Sequence, residues 1–217
     1  MPITKFGVGL VLASWIIFGI FVVLAYILKN PVLSVVGVII GLFSIFNMFF
    51  FRDPERKIPQ NPNAILSPAD GKVVQIAEVM ENEFFKAQTK RISIFLSVFN
   101  VHVNRVPVSG KVEYFRYNKG SFLPAFNEKA SEDNEQTAIG IIDSSERKVM
   151  FTQIAGIIAR RIVCTLREGH QVQAGDRMGM IRYGSRVDVY FDPSLVDVKV
   201  SLGDKVKGGE SILGEFK

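Results

Sequence analysis

Three residues far apart in the chain carry groups that could do nucleophilic chemistry: Ser185 in "IRYGSRVDVYF", His102 in "FNVHVNRVP" and Asp70 in "SPADGKV". A serine hydroxyl attacks a carbonyl only with a base within hydrogen-bond reach. Taken singly, each residue has an ordinary reading. Asp70 precedes Gly71, and Asp-Gly is a standard turn dipeptide. His102 lies in a β-like run, where a lone histidine is usually structural, and Ser185 alone would be a strand serine. The anomaly is Gly184, because a glycine inside an alternating stretch marks a bulge or a close backbone approach. His102, His170 and the single Cys164 have no metal-ligand spacing, so no metal is expected. Cys164, in the apolar run "RRIVCTL", reads as a buried strand cysteine.

The elements that must position these residues fall into two parts. Residues 6–28 and 32–51 contain no charged side chain and are separated only by Lys29-Asn30-Pro31. Each reaches the roughly 20 residues that a helix needs to cross a hydrocarbon core of ~30 Å. A signal peptide would have a shorter apolar core and a small-residue cleavage site. A membrane helical hairpin over residues 1–57 is therefore predicted, the alternative being one span plus a re-entrant or surface helix. These residues hold five basic side chains and two acidic ones, three of the basic ones directly after the second span. The positive-inside tendency then puts both ends, and the rest of the chain, on the cytoplasmic side of the cell membrane. The remaining 160 residues carry 21 basic and 19 acidic groups, so the excess charge is a collar against anionic headgroups, not a nucleic-acid surface.

After Pro54, Pro59, Pro62 and Pro68 the chain becomes β-like. Short runs alternating with a period of two recur between turn signals, from "KVVQIAEV" at 72–79 to "RVDVYFD" at 186–192. The prediction for residues 58–217 is mainly β, an antiparallel barrel or sandwich. "GHQVQAGDRMGMI" from Gly169 and "GDKVKGGESILGE" from Gly203 share glycines, a valine and an acid at an offset of 34. This unit resembles the hammerhead of lipoyl and biotinyl barrels; the alternative is that two hairpins look alike because hairpins need glycines. The stretch 119–136 breaks the pattern and puts Phe122, Leu123 and Phe126 in a loop, as a bilayer contact, a pocket wall or a lid.

The pieces "FFRDPER", "SPADGKV", "HVNRVPVSGKV", "GSFLPAFNEKASEDNEQ", "QIAGIIARRIVC" and "RYGSRVDVY" occur in this order from about residue 49 to residue 192. Together they resemble the phosphatidylserine decarboxylase family, in its short, membrane-anchored form. The resemblance implies a prosthetic group made from the chain itself. Ser185 would attack the carbonyl of Gly184, the amide would become an ester, and β-elimination followed by hydrolysis would leave a pyruvoyl group at position 185. The products would be a large chain, 1–184, associated with a small chain, 185–217. Glycine permits the backbone conformation this attack requires.

On the same resemblance His102 is the candidate base, with Asp70 orienting or charge-stabilising it in triad fashion. Longer family members carry two histidines in a Tyr-His-Arg-x-His-x-Pro stretch. Here His102 takes the first place and Arg105 the second, which leaves Arg105 open between a phosphate contact and a structural role. The pyruvoyl carbonyl would form a Schiff base with the serine headgroup and act as electron sink for decarboxylation to the ethanolamine lipid. Arg160 and Arg161 are further candidates for the lipid phosphate, although strand neighbours point to opposite faces. A serine headgroup on an ether-linked lipid is one alternative, and a non-enzymatic, membrane-anchored lipoyl-like adaptor is another. A homo-oligomer is compatible with the sequence.

Overall fold

The computed structural model describes residues 2–120, 134–156, 162–182 and 185–217. The chain divides into two compact units, residues 1–54 and 55–217.

The first unit is a helical hairpin. Helix α1 spans Val8–Leu28 and α2 spans Pro31–Phe50. The turn between them follows from its residues. Lys29 takes a left-handed conformation that ends α1, Asn30 Oδ1 accepts the Val32 N–H at 2.9 Å, and Pro31 stands where a helix needs no N–H donor. Four of the buried helix positions are small, Ser14, Gly37, Gly41 and Ser44, beside Val11, Asn47 and Phe50. A Cβ on Gly41 would lie 2.8 Å from the Phe18 ring, so glycine sets the approach of the two helices. The outward residues stay apolar and exposed, Ile16, Val23, Ile27 and Leu42 among them. Both helices are long and apolar enough to cross a membrane.

The second unit is mainly β. Its strands are β1 (Ala64–Leu66), β2 (Gly71–Glu81), β3 (Ala87–Leu96), β4 (Val103–Arg105), β5 (Gly110–Asn118), β6 (Gln136–Ile142), β7 (Lys148–Ala155), β8 (Ile162–Cys164), β9 (Gln171–Val172), β10 (Arg177–Ile181), β11 (Ser185–Phe191), β12 (Val196–Val198), β13 (Lys205–Val206) and β14 (Ile212–Phe216). An eight-stranded antiparallel sheet in the order β13-β2-β3-β11-β7-β6-β5-β9 curls as a half-barrel around the core. Two three-stranded sheets, β1-β14-β12 and β4-β10-β8, complete it. The core is built from the inward positions of the large sheet, such as Ile92, Ile94, Ile139, Phe151, Val189 and Phe191. Residues 55–57 pack with this unit: Glu55 pairs with Arg177, Arg56 with Asp70, and the Lys57 N–H bonds to Glu210.

The glycine repeat is structural. Gly169 and Gly203 donate their N–H groups to Val112 O and Val73 O, each at 2.8 Å. The following main-chain oxygens, of His170 and Asp204, accept from Val112 and Val73 at 2.9 Å. Gly175 and Gly209 have φ of +88° and +77°, a region glycine enters without a Cβ penalty. Their partners reveal a second repeat, at an offset of 39, between "PADGKV" from Pro68 and "PVSGKV" from Pro107. The two copies bond reciprocally, Leu66 N–H to Pro107 O and Arg105 N–H to Pro68 O, both at 2.9 Å. The β unit is thus two related halves that interlock.

Candidate active site

Ser185 heads β11, at the centre of the large sheet. Its Cα partners are Leu96 on β3 and Ala155 on β7. The residue is fully buried, and its Oγ has no hydrogen-bond partner among the described residues. Gly184 lies outside the described residues. The stretch "IRYGSRVDVYF" is not one strand with a bulge: β10 ends at Ile181 in a small sheet and β11 begins at Ser185 in the large one. The chain crosses between sheets there. Alternation carried no sign of this, because period two is blind to which sheet a strand joins.

Along β11, Ser185, Val187, Val189 and Phe191 face the apolar core. Arg186, Asp188 and Tyr190 face the other way and are buried as well. Arg186 and Asp188 form a two-point ion pair, Nε to Oδ1 and Nη2 to Oδ2, both at 2.9 Å. Burial, as the largest cause, and the charge of Asp188 push the Tyr190 hydroxyl up from its ordinary value, against the opposing effect of Arg91.

His102 is completely buried. Val103 pairs with Met180, so one step further His102 is level with Ile181, at the start of the crossover to Ser185. Its Nδ1 lies 3.0 Å from Asn100 O. A carbonyl oxygen only accepts, so in the neutral ring Nδ1 carries the hydrogen and the basic lone pair is on Nε2.

Asp70 is held elsewhere. Both its carboxylate oxygens lie 2.9 Å from Arg56 Nη2, and Oδ1 also accepts the Gly208 N–H at 2.8 Å. No bond joins it to His102, so the direct triad contact expected from the sequence is not made. The turn carrying Asp70 packs instead against the Arg105 end of β4, through Pro68 O. Arg105 is buried, and its Nη1 donates to Gly175 O at 2.9 Å, which sets it among the glycine turns. Beside it, a cavity of about 580 Å³ is lined by Arg56, Arg105, His170 and Arg177. Arg177 begins β10 and Ile181 ends it, so this cavity is about 13 Å along the strand from the crossover. Arg160 and Arg161, and the loop residues Phe122, Leu123 and Phe126, lie outside the described residues.

Sequence reasoning missed Asn104, Gln153 and the pairing of Arg56. Gln153 is on β7 opposite Val187, two residues from Ala155, and so shares the sheet face of Ser185. Its Nε2 donates to Asn104 Oδ1 at 2.8 Å, and Asn104 Nδ2 reaches Pro68 O at 3.4 Å. Gln153 and Asn104 are fully buried, yet Gln153 Oε1 has no partner among the described residues. Leaving such an acceptor unmatched costs about 1–3 kcal/mol. The only signal in the sequence was that "QIAG" belongs to one of the family pieces. Cys164 on β8 is partly buried, and burial pushes its thiol up, away from reactivity.

A buried serine hydroxyl with no partner among the described residues thus heads a central strand, and the buried His102 stands level with the end of β10 that precedes it. The comparisons name the chemistry. The family model for phosphatidylserine decarboxylase matches residues 43–214. Among the relatives called phosphatidylserine decarboxylase proenzyme, that of Syntrophus aciditrophicus is 50% identical over 173 residues, 80% of this chain and 81% of the relative. That of Desulfotalea psychrophila is 47% identical over 175 residues, 81% of each chain. That of Chlorobaculum parvum is 41% identical over 214 residues, 99% of each. The chain belongs to the phosphatidylserine decarboxylase family and is an enzyme of that type. The non-enzymatic adaptor alternative falls with this finding.

Proposed function

We propose that the chain cuts itself between Gly184 and Ser185, and that the two-chain product converts phosphatidylserine to phosphatidylethanolamine at the cytoplasmic face of the membrane. The observation that carries this reading is the fully buried Ser185 Oγ with no hydrogen-bond partner among the described residues. A buried hydroxyl without a partner is unfavourable, and it persists where the hydroxyl has work to do. The name proenzyme on the relatives supports a precursor.

In the self-cleavage, Ser185 Oγ bonds to the Gly184 carbonyl carbon, the C–N bond breaks, and the nitrogen takes the hydroxyl proton. Loss of the Ser185 Cα proton then expels the Gly184 carboxylate together with Oγ. Water replaces the nitrogen, which leaves as ammonia, and residue 185 becomes a pyruvoyl group. His102 Nε2 is the proposed base, for cleavage, for decarboxylation or for both. Asp70, bonded to Arg56, acts on the site through the turn it carries, whose Pro68 O accepts the Arg105 N–H of β4.

The residues present fit a pyruvoyl group. Position 185 lies between Leu96 and Ala155 on an apolar face, and β11 is bound along seven residue pairs to β3 and seven to β7. Its carbonyl supplies an electron sink for the electrons left when the headgroup carboxylate departs. The same pairings, with β13 on β2 and β14 on β1, would hold the small chain on the large one. The helical hairpin would hold the enzyme where its diacyl substrate resides. Arg160 and Arg161 are the cations proposed for the lipid phosphate, while Arg105 is given to the glycine turns.

Intact-mass measurement tests the reading. The purified protein is expected as two chains, 1–184 and 185–217, the smaller with a blocked N-terminus. Ser185→Ala is expected as one chain without activity. An active sample made of one uncut chain would overturn the proposal.

A further inference from the structure

The hydrogen-bond chain that ends at Gln153 has a fixed direction. Pro68 O can only accept, so Asn104 turns its Nδ2 toward it and presents Oδ1 to Gln153. Gln153 must then donate through Nε2, and its Oε1 is left as a buried acceptor with no partner among the described residues. The amide cannot flip without breaking this chain. On the adjacent strand and the same face, Ser185 Oγ also has no partner among the described residues. The two positions are diagonal neighbours, roughly 7–8 Å apart at Cα and within reach of a long side chain.

We propose that Gln153 Oε1 binds the amino group of the serine headgroup and sets its nitrogen toward residue 185. This rests on the decarboxylase reading above, and it assigns an orienting group that the reading lacks. The headgroup amine is a hydrogen-bond donor, and Oε1 is the acceptor the fold leaves for it. The neutrality of glutamine matters here. An amine must shed a proton before its nitrogen can attack a carbonyl, and a carboxylate beside it would favour the protonated form. A carboxamide orients the nitrogen without that penalty.

The test uses the full-length protein in detergent with two variants. Gln153→Leu is expected to process to two chains at the wild-type rate, by intact mass, and to raise KM for phosphatidylserine at least tenfold with a smaller effect on kcat. Calorimetric titration of the two-chain protein should show a tenfold or greater loss of affinity for glycerophosphoethanolamine, with glycerophosphoglycerol, which has no amine, unaffected. Gln153→Glu keeps the shape and should move the acid limb of the kcat/KM–pH profile upward by about one unit. Normal KM and headgroup affinities in a processed Gln153→Leu chain would overturn the proposal. So would slow self-cleavage, which would tie Gln153 to Ser185 and not to the substrate. Should Gln153→Leu fail to fold, an unchanged pH profile in Gln153→Glu overturns it instead. An uncut wild-type chain defeats the decarboxylase reading itself and is seen before any variant is made.

Discussion

The two halves of the β unit close their turns in the same way with different residues. In one half the Gly208 N–H bonds to Asp70 Oδ1 at 2.8 Å, and in the other the Ala174 N–H bonds to Ser109 Oγ at 3.0 Å. Asp70 and Ser109 stand at the same place in the offset-39 repeat, so this bond is architecture. What distinguishes Asp70 is its charge and Arg56. The comparison separates a contact inherited with the fold from one added to a single half. The proposed cleavage sharpens the asymmetry. The half built on β5, β6, β7 and β10 stays in one chain, whereas the half containing Asp70 would be shared between residues 64–96 and 185–217.

If the Asp70 half is assembled from two chains, its buried charges should matter most. Arg186 and Asp188, at 3% and 0% side-chain exposure, stand just beyond the proposed cut. Asp188→Asn removes the charge partner of a buried guanidinium and is expected to destabilise the protein by about 3–5 kcal/mol. Denaturant unfolding would read this directly. The processed form should also release its small chain at lower denaturant than wild type does. An effect below about 1 kcal/mol would mean that the pair is not what clamps β11.

Next in size is Asp70→Ser, which gives one half the turn residue of the other. The Gly208 bond can survive, while the Arg56 pair is lost and Arg56 keeps Glu210 at 3.8 Å. About 2 kcal/mol of stability should go, as for a hydrogen bond to a charged group. If the carboxylate serves the reaction, self-cleavage should slow at least tenfold, measured as the two-chain fraction over time. Wild-type cleavage in this variant would reduce Asp70 to the role of its counterpart.

Parts of this were legible in the sequence because local physics forces them. The helices showed themselves as two uncharged runs long enough to cross a membrane. The offset-34 repeat showed itself because Gly175 and Gly209 adopt positive φ, which restricts the residue type. The offset-39 repeat was missed, since its glycines stand among strand residues that many sequences would satisfy. The chain from Pro68 through Asn104 to Gln153 spans separations of 36 and 49 residues. Such bonds depend on which strands become neighbours, and no periodicity encodes that. Ser185 was singled out through the company of its motif, and that its hydroxyl has no partner among the described residues needed the folded chain.

A pH effect of moderate size follows from Tyr190 on the polar face of β11. Burial raises its folded pKa above the ordinary value of 10.0. The unfolded chain therefore ionises first at this residue, so the Tyr190 contribution to stability is complete below pH 10 and falls as pH rises beyond it. Tyr190→Phe should remove that decline, visible in unfolding midpoints above pH 10. An identical alkaline decline in the variant would place its origin elsewhere.

The smallest expected effect is the control for the comparison itself. Ser109→Ala deletes the turn-closing bond in the half that carries no ion pair. The Ala174 N–H it served is at the surface, where water can replace the lost acceptor, so the cost should be near the low end for a hydrogen bond, about 0.5 kcal/mol. Self-cleavage should be unchanged, because Ser109 belongs to the turn at the β9 edge of the large sheet and Ser185 heads its central strand. Were Ser109→Ala to slow cleavage as much as Asp70→Ser, the two turns would act on the site through shared geometry. The charge of Asp70 would then have no claim to the reaction beyond the bond it shares with serine.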